Sequence, residues 1–357
     1  MPNNTLIIRA DASLEMATGH VMRCLALAQE CQDAGGNVVF AMAQSTAAVD
    51  RRLRSEGIEI CKLKTAPAGA ADTNGVIALA RDWHAEWVVV DGYQFDVRYQ
   101  RRIKNAGLKL LFVDDTGECG AYLADLVLDQ NVDAMEEMYR NREPYTELLL
   151  GPRYAMLRRE FRPWRNWQRE VAPDARNLLI TMGGSDPHNV TARVLEALRS
   201  VKIEGMEVTV VVGGSNPHGK SLRQSASQLP RALLMQNGAT NMAELMAWAD
   251  IAITAGGGTG YELALLRVPM VVVTIADNQA NTCRALARHE AAVDAGWFHS
   301  LTSKALAGTL CDLIPDRERR QRLTDNARRL VDGQGAHRVL ESMASTRNEA
   351  MARAHSA

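Results

Sequence analysis

The chain has almost no net charge: 41 Lys and Arg stand against 42 Asp and Glu over 357 residues, leaving −1. A balance this even removes the broad electrostatic case for nucleic acid or an anionic membrane surface as partner. The local basic run Arg317 to Arg322 reads as one face of a solvated helix. No stretch approaches 18 apolar residues, and Met1-Pro2-Asn3-Asn4 does not open a basic region followed by an apolar one. Neither membrane insertion nor a standard secretion signal is therefore expected. Six cysteines (Cys24, Cys31, Cys61, Cys119, Cys283 and Cys311) form no C-x-x-C and have no histidines at ligand spacing. That pattern excludes an obvious structural zinc site and fits a reduced, cytoplasmic protein. No short-period repeat is present, and a monomer is the expectation.

The length exceeds what one core usually serves, so two domains are expected. Short apolar runs alternate with helical periodicity from the start: Thr5 to Ala10 is followed by Val21, Cys24, Leu25, Ala28 and Cys31 at helical spacing. Val38 to Met42, Ile58 to Leu63, Trp87 to Val90, Lys109 to Val113 and Asp125 to Leu128 supply further strands. The periodicity lapses from Gly151 through the Arg/Trp/Pro-rich Arg158 to Pro173, then restarts at Asn177. Val208 to Val212, Ala232 to Met235, Ile251 to Thr254 and Met270 to Val273 continue it. Strands separated by helices predict parallel sheets covered on both faces: an α/β chain of two doubly wound, Rossmann-like domains facing a cleft. The expected limits are 1–152 and 153–340, with a frayed helical tail over 341–357.

The loops after these strands carry the candidate chemistry. Ala255-Gly256-Gly257-Gly258-Thr259-Gly260-Tyr261-Glu262 reads as strand, glycine turn and helix start, where backbone can approach a ligand and free N–H groups favour an anion. Glu262, one turn into the helix, could accept from a ribose diol; equally, the glycines could only tighten a turn and Glu262 only suit the helix dipole. The stretch lacks the Lys-Ser/Thr of a P-loop and lies too late for a dinucleotide fingerprint opening its domain. Gly183-Gly184-Ser185-Asp186-Pro187 is a second such turn, with Ser or Asp as cap in its plainer reading. Asn278-Gln279 follows the last strand and could donate to sugar oxygens. In the first half, Thr18-Gly19-His20 opens a helix, a position that disfavours imidazolium and leaves His20 able to accept a proton. Asp91-Gly92-Tyr93 ends another strand. Asp114-Asp115 has no third carboxylate at a metal-binding spacing and reads as turn and cap residues.

Taken together, Arg9-Ala10-Asp11, Thr18-Gly19-His20-Val21-Met22-Arg23-Cys24-Leu25, Asp91-Gly92-Tyr93, Gly183 to Asn189 and Ala255 to Glu262 resemble the UDP-2,4-diacetamido-2,4,6-trideoxy-β-L-altropyranose hydrolase family of pseudaminic acid biosynthesis. The resemblance runs to about Ala287. It implies a GT-B-like fold, a small-molecule UDP-sugar substrate and no cofactor. By the same resemblance His20 is the catalytic residue, with Gly19, Arg23 and Tyr93 on the substrate. Gly184, Ser185, Gly257, Gly258, Thr259 and Glu262 would hold UDP, and Asn278 and Gln279 would face the sugar. Ala17 departs from the pattern, standing where a glycine is expected, which bears on loop flexibility. UDP is a stable leaving anion, so N–H groups rather than a metal or general acid would carry its charge, while His20 activates water and Asp11 orients His20. A single base implies inversion at the anomeric carbon. A GT-B transferase with an acceptor in place of water and a non-catalytic nucleotide-sugar-binding protein are the alternatives.

Overall fold

The computed structural model describes residues 5–13, 18–202, 204–235 and 241–355, with side chains described as far as Thr346. Residues as far as Arg159 together with those from Gly333 onward form one compact unit, and Glu160–Asp332 form a second.

The first unit is built on a seven-stranded sheet whose pairings are all parallel. Its strands are β1 (Thr5–Ala10), β2 (Asn37–Met42), β3 (Glu59–Lys62), β4 (Trp87–Asp91), β5 (Lys109–Val113), β6 (Leu126–Asp129) and β7 (Glu147–Leu150). They lie in the order β3-β2-β1-β4-β5-β6-β7. The connecting helices are α1 (Gly19–Asp33), α2 (Ala47–Ser55), α3 (Ala70–Asp82) and α4 (Val97–Asn105). Runs such as Leu6-Ile7-Ile8 and Val88-Val89-Val90 are apolar without alternation because both faces of the sheet are covered. Leu6, Ile8 and Val89 pack with α1 and α2. Ile7, Val88 and Val90 pack with α3 and α4.

The second unit repeats the plan with β8 (Asn177–Thr181), α5 (Val190–Leu198), β9 (Glu207–Val211), α6 (Gly219–Ala226), β10 (Ala232–Met235), α7 (Met242–Trp248), β11 (Ile251–Ala255), α8 (Thr259–Leu265), β12 (Met270–Thr274), α9 (Ala280–Arg288) and β13 (Val293–Trp297). Its sheet runs β10-β9-β8-β11-β12-β13, again parallel throughout. Helices α10 (Ser303–Leu313) and α11 (Arg317–Leu330) follow. In each sheet the order reverses once, between β1 and β4 and between β8 and β11, and such switch points open a crevice at the strands' carboxyl ends.

The last helix, α12 (Gly335–His355), differs from the expected end of the second domain followed by a tail. Ala336, Val339 and Met343 are buried in one core with Cys24, Leu27 and Cys31 of α1. Gly335 is needed at its start because a Cβ there would lie 2.2 Å from the Ala155 carbonyl oxygen. The chain therefore returns to the first unit after Asp332. The junction after β7 also falls later than expected, since Arg159 is held to the end of α1 by Asp33 (2.7 Å) and Gln29 (2.7 Å from its backbone N–H). Among the described residues no helix is long and apolar enough to cross a membrane.

One buried acid gives a measurable signature. The Tyr139 hydroxyl lies 2.9 Å from both the Asp114 carbonyl and Asp129 Oδ2, and its single proton can serve only one of them. A proton on Asp129 satisfies both contacts, and burial pushes this carboxyl up to about 7. A folded-state pKa above the unfolded one stabilises fully below about pH 4, and that contribution is lost as pH rises toward 7. Asp129→Asn mimics the protonated form, so urea titrations at pH 5 and pH 8 should show wild type losing roughly 1–3 kcal/mol relative to the variant at the higher pH. Parallel behaviour of the two proteins would show that Asp129 is ionised throughout.

Candidate active site

At the switch point of the first sheet, Ala10 is in register with Asp91. Side chains alternate along a strand, so Asp91 shares the α1-facing side of β4 with Val89. Helix α1 presents His20, Arg23 and Cys24 toward it, a spacing that places all three on one face. Asp91 is fully buried. Its Oδ1 lies 2.6 Å from His20 Nδ1 and accepts from Arg23 Nη2 at 2.7 Å. Its Oδ2 accepts from Arg23 Nε at 2.7 Å and from the Cys24 thiol at 3.3 Å. Burial alone would raise the pKa of this carboxyl, but the Arg23 guanidinium and His20 outweigh it and hold Asp91 well below the usual carboxylate range. An ionised Asp91 can only accept, so Nδ1 of His20 is the donor in this contact and Nε2 is the ring nitrogen left to accept a proton. Tyr93 stands edge-on to the imidazole with ring centroids 4.8 Å apart and is itself half exposed.

Asp11 does not orient His20. Ile7 and Arg9 share the opposite parity on β1 and face α3, away from α1, and Asp11, the residue just past the strand, keeps that parity. Asp11 accepts from Arg9 Nη1 at 2.6 Å and Nη2 at 2.8 Å, and from the backbone N–H groups of Ala43 and Gln44 at 2.8 and 3.0 Å. Arg9 in turn donates to Asp72 of α3, which also accepts from the Tyr99 hydroxyl at 2.6 Å. This buried network ties β1 to the loop after β2 and to α3. Arg23, expected on the substrate, has Nε, Nη1 and Nη2 engaged with Asp91 and Asp115. Gly19 is the first residue of α1, while Ala17 lies outside the described residues. Of the acidic pair after β5, Asp114 caps a turn by accepting from Thr116 and Gly117, whereas Asp115 pairs with Arg23 at 2.6 Å. Among the described residues no group of three or more His, Cys, Asp or Glu is arranged to hold a metal ion.

In the second sheet the corresponding loops follow β8, β11 and β12, three adjacent strands. After β8, Gly183 has φ +80° and Ser185 is buried. Asn189 is the N-cap residue of α5 and makes no side-chain cap bond; Asp186, three residues before it, caps the helix instead, accepting from the N–H groups of Val190 (2.7 Å) and Thr191 (3.0 Å) and from the Thr191 hydroxyl (2.6 Å). The plainer reading of this turn therefore holds for Asp186, and the N–H groups at the start of α5 are taken by its carboxylate. After β11, the backbone approaches α9 so closely that a Cβ on Gly256 would lie 2.2 Å from Cys283 Sγ. Gly257 and Gly258 then lead into α8, whose cap makes no side-chain hydrogen bond, and Glu262 lies in its first turn. After β12, Gln279 Oε1 accepts from the Ile275 N–H at 3.2 Å and closes its turn, and Asn278 is exposed.

Two switch-point α/β units of this kind constitute the GT-B fold. MurG of Acinetobacter baumannii aligns with 95 % of this chain and 98 % of its own at a TM-score of 0.66 and 18 % identity. Residues 178–343 match the glycosyltransferase family 28 C-terminal domain. The chain is 26 % identical over 285 residues to the UDP-2,4-diacetamido-2,4,6-trideoxy-β-L-altropyranose hydrolase of Campylobacter jejuni, covering 79 % of this chain and 96 % of that one, so the family resemblance read from the motifs holds. It is also 28 % identical over 274 residues to an uncharacterized protein of Methanocaldococcus jannaschii, and 31 % identical over 195 residues to the spore coat polysaccharide biosynthesis protein SpsG of Bacillus subtilis. Those matches cover 75 % and 54 % of this chain but 55 % and 57 % of the two relatives, so it spans little more than half of their length.

Proposed function

We propose that this protein hydrolyses a UDP-linked 2,4-diacetamido-2,4,6-trideoxy sugar to UDP and free sugar, as a step of pseudaminic acid biosynthesis. The observation that carries the reading is the His20–Asp91 pair, in which Nδ1 faces the carboxylate and Nε2 is left as the nitrogen that would accept a proton. The similarity to the Campylobacter hydrolase supports this choice of substrate. In the proposed step His20 Nε2 takes a proton from water as the water oxygen bonds to the anomeric carbon. The bond from that carbon to the β-phosphate oxygen breaks, and its electron pair leaves with UDP. Attack opposite the leaving group inverts the anomeric centre. Backbone N–H groups of the Gly183–Ser185 and Gly256–Thr259 turns stabilise the departing charge, Glu262 accepts from the ribose hydroxyls, and Asn278 and Gln279 contact the sugar.

Transfer to an acceptor in place of water is the second reading, favoured by the match to a glycosyltransferase domain in the second unit. Incubation with a panel of UDP-sugars and no acceptor separates the two. Release of UDP and free sugar is expected, and binding without turnover would favour the transferase. Glu262→Ala should weaken UDP binding by about 1–3 kcal/mol in calorimetry, the worth of a charge-assisted hydrogen bond. An unchanged affinity in the folded variant would remove Glu262 from the nucleotide site.

A further inference from the structure

We infer that Arg23 and Asp115 set the protonation balance of the His20–Asp91 pair, so that Arg23 is a positioning residue that keeps the imidazole neutral and Asp115 opposes it. The inference rests on the reading of His20 as the base only where it touches rate. Its physical content is a four-member chain: His20 Nδ1 to Asp91 at 2.6 Å, Asp91 to Arg23 through both oxygens at 2.7 Å, and Arg23 Nη1 to Asp115 Oδ2 at 2.6 Å. The Asp91, Arg23 and Asp115 side chains are 0, 11 and 9 % exposed, so solvent screens these charges poorly. Arg23 Nη2 also lies 3.2 Å from His20 Nδ1. Both nitrogens are donors to the same Asp91 Oδ1, which fixes a positive charge beside the ring and works against a second proton on it.

The other titratable groups near this four-member chain are few. Among the described residues, α1 contributes Arg23 and Cys24, the end of β4 contributes Asp91 and then Tyr93, the end of β5 contributes Asp115, and the end of β6 contributes Asp129, whose carboxyl burial and Asp115 push up to about 7 and whose titration is removed by reading His20 in an Asp129→Asn background. Burial pushes the Cys24 thiol well up, so it remains uncharged, and Tyr93 presents its ring. Burial would lower the basicity of Arg23, but Asp91 and Asp115 more than restore it, so the guanidinium stays charged. With His20 neutral, the charges of Asp91, Asp115 and Arg23 sum to −1. Removing Arg23 makes the sum −2 and favours imidazolium. Neutralising Asp115 makes it 0 and disfavours imidazolium. The two changes must therefore move His20 in opposite directions, which a merely structural role for either residue would not produce.

Asp115→Asn is the decisive variant because it keeps the shape. Its Oδ1 is buried without a hydrogen-bond partner while Oδ2 serves Arg23, so an amide can present its oxygen to Arg23 and its nitrogen where no bond is lost. The test is an NMR titration of the His20 ring in the full chain of wild type, Asp115→Asn, Arg23→Met and Arg23→Lys. Relative to wild type, the midpoint should fall in Asp115→Asn and rise in Arg23→Met, each by about one pH unit or more, with Arg23→Lys close to wild type. The rising limb of kcat/KM against pH should follow in the same directions. A folded Asp115→Asn protein whose midpoint is unmoved or higher overturns the inference, even if Arg23→Met does not fold. If midpoints move as stated and rates do not follow, the balance stands and the assignment of His20 as base fails.

Discussion

Replacing His20 with Asn should lower kcat about 10²–10⁴-fold while leaving UDP affinity within about twofold, because general-base catalysis is worth that much and the nucleotide is proposed to bind through the other unit. Asparagine retains polarity and roughly the volume near Asp91 but has no nitrogen that can take a proton at neutral pH. The pH dependence should change with it: the wild-type rate rises as the imidazole loses its proton, and the variant's residual rate should lack that limb. Steady-state rates with the UDP-sugar, paired with calorimetry of UDP, read both parts. A folded variant of near-normal kcat would contradict the assignment of the base.

Asp91→Asn should cost nearly as much, about 10²–10⁴ in kcat, although this residue is fully buried and acts through His20. Both oxygens of Asp91 are acceptors, one for His20 Nδ1 and Arg23 Nη2, the other for Arg23 Nε and the Cys24 thiol. An amide has only one acceptor atom. With its NH₂ toward His20, Nδ1 must become the acceptor and the proton moves to Nε2, the nitrogen that should take it from water. With its NH₂ toward Arg23 Nε, two donors face each other in a buried site and the guanidinium shifts. Either orientation damages the base. Asp11→Asn supplies the contrast: it should perturb stability through the Arg9 network while leaving the titration of His20 in place. A loss of activity in Asp11→Asn larger than in Asp91→Asn would reverse the assignment of the two carboxylates.

The exchange of Asp11 for Asp91 shows where sequence reading stops. Asp91 ends β4 and Asp11 directly follows β1, and Asp11 lies nearer His20 in the chain. What separates them is parity: Asp11 falls with Ile7 and Arg9 on the face toward α3, Asp91 with Val89 on the face toward α1. Period-2 counting carries that information in principle, but only once β1 and β4 are known to be neighbours with α1 over one face, which is tertiary knowledge. The same holds for Arg23. A basic residue one turn into a helix that opens a ligand loop is an obvious anion contact until Asp91 and Asp115 are found around it.

The fold was more legible because parallel strands buried on both faces write themselves as unbroken Val/Ile/Leu runs. The two strands that reading missed, β7 and β13, are both edge strands. The first is four residues long and mostly leucine, a weak β-former, and ends at the Gly151-Pro152 break. The second contains Asp294 and Gly296 and pairs irregularly with β12. The docking of α12 was hidden for a different reason: an amphipathic helix declares that it has an apolar face but not which core will cover it.

The central claim is that water attacks the sugar carbon rather than the β-phosphorus, and the most direct measurement is the fate of oxygen in ¹⁸O-labelled water. Both routes release UDP and free sugar, so product identity alone does not separate them. Breaking the anomeric C–O bond places the label in the sugar hydroxyl and leaves UDP unlabelled, with the first-formed anomer inverted. Mass spectrometry showing the label in the β-phosphate of UDP would contradict the account.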